Sequence, residues 1–247
     1  MLKKELGVVM LLSAVLLSGC GSDKPETVTQ GSGDSPSKQV TTQPEQDADA
    51  KEIGSSENEK VKLYSTTDGV KLDINSNQKG FDWNVPSDTG TDPQIFYTDL
   101  TGDGKEEAVV IIQTGRGTGL DHFDIHVVDA EDLSEIKVQK YKDIVAEQIE
   151  SHVAKNNDGS LTITVKAQGK ESKLDYGTDP APDYKQDELA FGGVVIYSLE
   201  DQKINLNLPG SIGKSPTYVC DLNIIYKFDS EKNEFSAEQI EVKPIEK

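Results

Sequence analysis

The sequence predicts a mainly β domain, sandwich-like or propeller-blade-like, with one short helix. Three observations lead to this expectation. Apolar residues between Tyr64 and Pro244 come in short β-branched runs or strict alternations, the period-two signature of strands. Gly, Asp, Asn and Pro separate these runs at short intervals, as turns between strands require. Only one stretch in the region repeats its apolar residues at helical spacing.

The elements follow in order. Ile95-Phe96-Tyr97 is a short β-branched and aromatic strand, and Ala108-Val109-Val110-Ile111-Ile112 is apolar enough to be buried on both faces. Gly115-Arg116-Gly117-Thr118-Gly119 lacks the Gly-Lys-Ser/Thr ending of a phosphate loop and is read as a hairpin turn. Phe123, Ile125 and Val127 then alternate with His122, Asp124 and His126. Tyr141, Val145 and Ile149 share one face of a helix over residues 141–150. Leu161, Ile163 and Val165 alternate with Thr162, Thr164 and Lys166 in a further strand. Residues 190–199, 203–208 and 234–242 read as three more. Tyr218, Cys220, Leu222, Ile224, Tyr226 and Phe228 line one face of a long strand. Cys220 on that face is most simply a small buried hydrophobe.

Upstream of the domain the composition changes. From Gly21 to about Glu59 there is no aromatic residue and few aliphatic ones. Such a segment buries too little apolar surface to offset its chain entropy and is expected to be a disordered tether. At roughly 5–6 Å times the square root of its length it would hold a domain some tens of Å from its anchor. The first residues are different again: Lys3 and Lys4 precede an apolar run from Leu6 to Leu17, which leads through Ser18-Gly19 to Cys20. This is the layout of a secretory leader, too short for a spanning helix. The sequence thus divides into a signal peptide (1–19), Cys20 with a disordered acidic linker (20–59) and a β-rich extracellular domain (60–247).

Leu17-Ser18-Gly19-Cys20 resembles the lipobox of bacterial lipoproteins. The resemblance implies diacylation (palmitate or a related chain) of the Cys20 sulfur, cleavage before Cys20 and acylation of the new amino terminus. Two or three acyl chains make a stable anchor where one is marginal, so the expected location is the outer face of the cell membrane. With Cys20 lipidated, Cys220 has no intrachain disulfide partner. The formal charge is −19, and it becomes −20 once Lys3, Lys4 and Glu5, a net +1, are removed with the leader. A chain this acidic, with Arg116 as its one arginine, is not built to bind nucleic acid or phosphate forks.

Asp99-Leu100-Thr101-Gly102-Asp103-Gly104-Lys105-Glu106-Glu107 lies between two strands. Calcium takes six to eight oxygens, and a tight loop supplies them from alternate residues. Asp99, Thr101, Asp103, the Lys105 carbonyl and Glu107 fall at positions one, three, five, seven and nine. Position twelve, where an EF-hand needs an acid, is Val110. The segment resembles the Asp-x-x-Gly-Asp-Gly loops of FG-GAP and VCBS repeats. The longer stretch from Ile95 to Val128 is similar to a group of secreted Firmicute lipoproteins. These resemblances imply a structural calcium bound by Asp99, Thr101, Asp103, Lys105 and Glu107, with weak affinity of the order of 10⁻⁴–10⁻³ M.

His122, Asp124 and His126 form a second candidate metal set, because a spacing of two puts all three on one face of a strand. The competing reading is a solvated face opposite Phe123, Ile125 and Val127. The acidic loop from Asp175 to Tyr184 mixes tyrosine, proline and carboxylates, and is either a binding edge or a solvated connection. No Gly-x-Ser-x-Gly, Cys/His or paired-carboxylate motif points to hydrolysis. The functional expectation is therefore a calcium-braced, surface-anchored β domain that binds an envelope component or partner protein. The alternative is a cell-wall or polysaccharide-active hydrolase using carboxylates. A flat surface around His122, Asp124 and His126 would argue against the enzyme; a concave pocket there would favour it.

Overall fold

A computed structural model of the chain describes residues 50–177 and 186–245. The leader, Cys20, the tether up to residue 49, positions 178–184 of the acidic loop with residue 185, and residues 246–247 lie outside the described residues. The domain is mainly β with one short helix. Its strands are β1 (Lys51–Ser55), β2 (Val61–Thr66), β3 (Gly69–Ile74), β4 (Asn77–Phe81), β5 (Gln94–Thr98), β6 (Glu107–Gly117), β7 (Leu120–Asp129) and β8 (Glu135–Val138). Helix α1 (Tyr141–Gln148) follows, then β9 (Ile149–Lys155), β10 (Leu161–Ala167), β11 (Lys170–Tyr176), β12 (Val194–Glu200), β13 (Lys203–Ile212), β14 (Thr217–Asp229) and β15 (Glu234–Pro244).

Three sheets form: β1-β2-β3-β4, β11-β10-β9, and an eight-stranded sheet β12-β13-β14-β15-β8-β7-β6-β5. The strand β6 lies between two cores. Ala108, Val110 and Ile112 face a cluster with Val61, Leu63 and Leu72 of the first sheet. Val109 and Ile111 face the larger cluster with Leu161, Ile163 and Val165 of the three-stranded sheet. The continuous apolar run is thus buried on both faces, as its composition predicts. On β14, Cys220, Leu222, Ile224 and Tyr226 are buried as a set. Burial pushes the Cys220 thiol up to about 11, which keeps it protonated and inert at neutral pH.

Three boundaries differ from the expectation. Residues 51–55, expected in the linker, form β1, which pairs with β2 while Ile53 packs on the core. A polar strand of this kind is defined by its partner, not by its own composition. Helix α1 ends at Gln148, where Ile149 turns extended and begins β9. Its fully buried residue is Ile144, with Tyr141 and Val145 packed partly against the same core. Residues 190–193 stand outside β12, with Ala190 forming only an isolated bridge to Ser211.

The topology that positions the site lies along β7. One edge of β7 pairs with β6 over nearly its whole length. The opposite edge is shared. It runs parallel to β12 at Asp121 and His122, and antiparallel to β8 at Val127 and Val128. Since β12 also continues through β13, β14 and β15 to β8, the strands close into a ring. The ring splits where β8 and β12 part, opposite residues 123–126, which have no strand partner on that edge among the described residues.

Candidate functional site

A cleft of about 650 Å³ opens at this split. Its apolar wall comes from Ile125, Val138, Tyr141 and Tyr197, and its polar groups come from β7, β8 and the start of α1. The volume lies within the range of small-molecule sites. His122, Asp124 and His126 all line it. The surface around the three β7 residues is concave, and the two histidine side chains are only 24% and 18% exposed.

The two histidines have different surroundings. His126 stacks on Trp83 with ring centres 4.1 Å apart, and Trp83 stacks in turn on Phe81 at 4.4 Å. Its Nδ1 lies 2.7 Å from Glu135 Oε1, while Trp83 Nε1 donates to Glu135 Oε2 at 3.5 Å. The hydrogen bond from His126 holds the Glu135 carboxyl below the usual range, against the opposing effect of its partial burial. An ionised Glu135 is an acceptor only, so Nδ1 carries the proton and Nε2 keeps the lone pair while the ring is neutral. His122 Nδ1 is 3.2 Å from Thr114 Oγ1 and 4.0 Å from Asp124 Oδ1. Its ring meets Tyr141 edge-on at 5.6 Å.

Tyr197 forms the floor. Burial, reinforced by the Asp124 charge, pushes its hydroxyl up to about 12. Its neighbour Tyr226 donates to the Gln139 carbonyl at 3.0 Å. Tyr141 enters the cleft from the first turn of α1, and Gly192 makes room for it. Gly192 has φ +98°, and a Cβ there would lie 2.7 Å from the Tyr141 hydroxyl. The lead-in to β12 therefore needs glycine both for its backbone and for this approach. Sequence reading did not assign Trp83, Glu135, Lys140, Tyr141, Lys142 or Tyr197 to a site. The local signal was the run Lys137-Val138-Gln139-Lys140-Tyr141-Lys142, three lysines close together in an acidic chain.

The second candidate region, the loop from Asp99 to Glu107, joins β5 to β6. Asp99 Oδ1 accepts from Gly102 N–H at 2.7 Å and Oδ2 from Gly104 N–H at 2.9 Å. Both glycines are left-handed, at φ +82° and +87°, which lets the loop fold back over Asp99. Asp103 accepts from its own turn at Lys105 N–H. Glu107 is 2% exposed and accepts from Leu100 and Thr101 N–H at 2.7 and 3.2 Å. Burial raises the Glu107 carboxyl despite these two bonds, and the Asp103 and Asp99 charges raise it further. Lys105 turns away to Glu131. Three carboxylates and a threonine hydroxyl thus share one loop, a donor set whose chemistry suits hard calcium. Among the described residues, no three His, Cys, Asp or Glu side chains are gathered as a metal shell.

Comparison with protein-family models, with curated proteins and with solved structures gives no match. Function is therefore argued from the site alone.

Proposed function

We propose that this protein is a lipoprotein, anchored through Cys20 at the outer face of the cell membrane, whose β domain binds an envelope component or surface partner. The cleft beside β7 is the binding site, and its place at the split between β8 and β12 is the observation that carries the reading. Calcium held by Asp99, Thr101, Asp103, the Lys105 carbonyl and Glu107 braces the hairpin between β5 and β6. The lipobox-like residues and the tether composition support the anchor. The oxygen donors of the loop support the ion.

Each part has its own test. Cys20→Ser is expected to shift the protein from the membrane fraction to the medium; retention in membranes would contradict the anchor. Excess calcium is expected to raise Tm over chelator in the wild type but not in Asp103→Ala, and equal shifts in both would remove calcium from the loop. Co-sedimentation of the mature protein with purified cell wall is expected to fall in Tyr141→Ala, while an unchanged bound fraction counts against the cleft.

A second reading, a polysaccharide-active hydrolase, is favoured by the paired His126–Glu135 side chains and Asp124 in the same cleft. Release of reducing ends from wall glycan, lost in both Asp124→Asn and Glu135→Gln, would make this the leading reading. No release by the wild type would remove it.

A further inference from the structure

The charges that line the cleft are not all alike. Glu135 is engaged by His126 and Trp83. Lys137 is engaged by Glu234 at 2.8 Å. Three charges remain. Asp124 has no lysine or arginine ion-pair partner among the described residues; its nearest cationisable group is His122 at 4.0 Å. Among the described residues neither Lys140 nor Lys142 makes an ion pair, and Lys142 lies over the Tyr141 ring at 5.8 Å.

These three groups sit on different elements. Asp124 projects from β7. Lys140 and Lys142 flank Tyr141 at the start of α1, whose N-cap carries no side-chain cap hydrogen bond. Between them lies an apolar surface of Tyr141, Tyr197, Ile125 and Val138. The carboxylate makes its side of the cleft negative: after burial, the Asp124 charge is a cause of the raised Tyr141 hydroxyl. Its aromatic neighbours also suit an ammonium group, which is attracted to ring faces. Lys140 and Lys142 line the cleft at the start of α1, whereas Asp143 of the same turn is not in the cleft lining, so the α1 side is positive and the helix dipole adds to that sign.

From this arrangement we infer that the cleft takes a zwitterionic short peptide. Its free amine pairs with Asp124, its carboxylate pairs with Lys140 and Lys142, and its apolar side chains lie on Tyr141 and Tyr197. The inference rests on the cleft being the binding site proposed above, and it names the ligand class. A neutral sugar would leave all three charges unmet. A polyanion would face Asp124 and Glu135, and a simple amine would face the two lysines.

Trp83 is the single tryptophan of the chain and stacks on a cleft residue, His126, so its fluorescence reports occupancy. The test titrates the full mature protein in detergent micelles with the dipeptide Leu-Phe, its N-acetyl form, its C-terminal amide and the doubly capped form. The free dipeptide is expected to bind, and each cap to weaken binding by about tenfold or more. Asp124→Asn is expected to abolish the penalty of the N-acetyl cap alone. Lys140→Gln with Lys142→Gln is expected to abolish the penalty of the amide alone. Circular dichroism shows whether the variants fold; Lys170→Gln, at an exposed lysine of β11 outside the cleft, is expected to keep both penalties. Equal binding of free and doubly capped dipeptide overturns the inference, as does the absence of binding up to about 10 mM, near −2.7 kcal/mol. If a neutral cell-wall disaccharide binds while the dipeptides do not, the inference fails but the binding site stands. If soluble wall fragments of every kind leave the signal unchanged, both fail.

Discussion

The hairpin loop at Asp99–Glu107 and the cleft beside β7 both gather charged side chains, but they treat those charges in opposite ways. In the loop, Asp99, Asp103 and Glu107 are each closed on backbone N–H groups of the loop itself. In the cleft, Asp124 has only His122 beside it, at 4.0 Å, and Lys140 and Lys142 make no ion pair among the described residues, with an apolar surface in the same lining. Hydrogen bonds that satisfy a loop internally hold its shape. Charges left facing a cavity contribute little to folding and are available to a ligand. The two regions should therefore respond differently to substitution, the loop through stability and the cleft through binding.

The largest expected effect tests what supports the cleft wall. Trp83 is 5% exposed and stacked between Phe81 and His126. Trp83→Ala is expected to cost about 3–5 kcal/mol in urea unfolding, the range for a buried aromatic removed from a core. A cost below about 1 kcal/mol would mean that the wall stands without it.

Next comes the loop. Glu107→Ala leaves the Leu100 and Thr101 N–H groups without their acceptor, and Asp99→Ala does the same to Gly102 and Gly104. The expected costs are about 2–3 and 1–2 kcal/mol, from the usual penalty for unsatisfied donors. Dipeptide binding in the cleft should stay unchanged in both. A parallel loss of binding would erase the distinction between the regions.

A smaller effect separates two carboxylates of opposite shift. Burial raises Glu107, so its contribution is full below the unfolded Glu value of about 4.3 and is lost as pH rises through the raised folded value. His126 lowers Glu135, so its contribution is full above about pH 4.3 and is lost as pH falls through the lowered folded value. In chelator, Glu107→Gln should therefore gain stability relative to wild type as pH rises from about 4 to 7, while Glu135→Gln should lose relative to wild type over the acid range. Stability curves that move in the same direction for both variants would contradict the assigned causes.

The smallest stability effects belong to the rim. Lys140→Gln and Lys142→Gln are expected to change unfolding free energy by less than about 0.5 kcal/mol, even though they alter carboxylate preference. Gly192→Ala lies between the regions in size. It strains a positive φ and pushes on Tyr141, so a loss of about 1–2 kcal/mol is expected together with weaker cleft binding.

The difference between the regions also decides what could be read from the sequence. The loop is local: its glycines and carboxylates sit within nine positions, and their spacing is visible as a motif. The buried run on β6 and the alternating face of β14 were equally plain, because each strand carries its own pattern. The cleft is assembled from residues as distant as Trp83, Glu135 and Tyr197, and it exists because one edge of β7 is shared between β8 and β12. No local pattern encodes that sharing. The triad His122, Asp124 and His126 falls on the strand that lines the cleft, but the sequence pattern does not show the partners that separate its two histidines. The strands Lys51–Ser55, Asn77–Phe81 and Lys170–Tyr176 are polar on most positions, so pairing with neighbours, rather than composition, defines them.

The most direct measurement is backbone chemical-shift mapping of the mature protein titrated with a soluble digest of purified cell wall. The expected result is a contiguous set of perturbed amides at Asp124, Tyr141 and Tyr197, with the loop at Asp99–Glu107 unmoved. Perturbations confined to other surfaces, or none at saturating digest, would contradict the assignment of the cleft as the binding site.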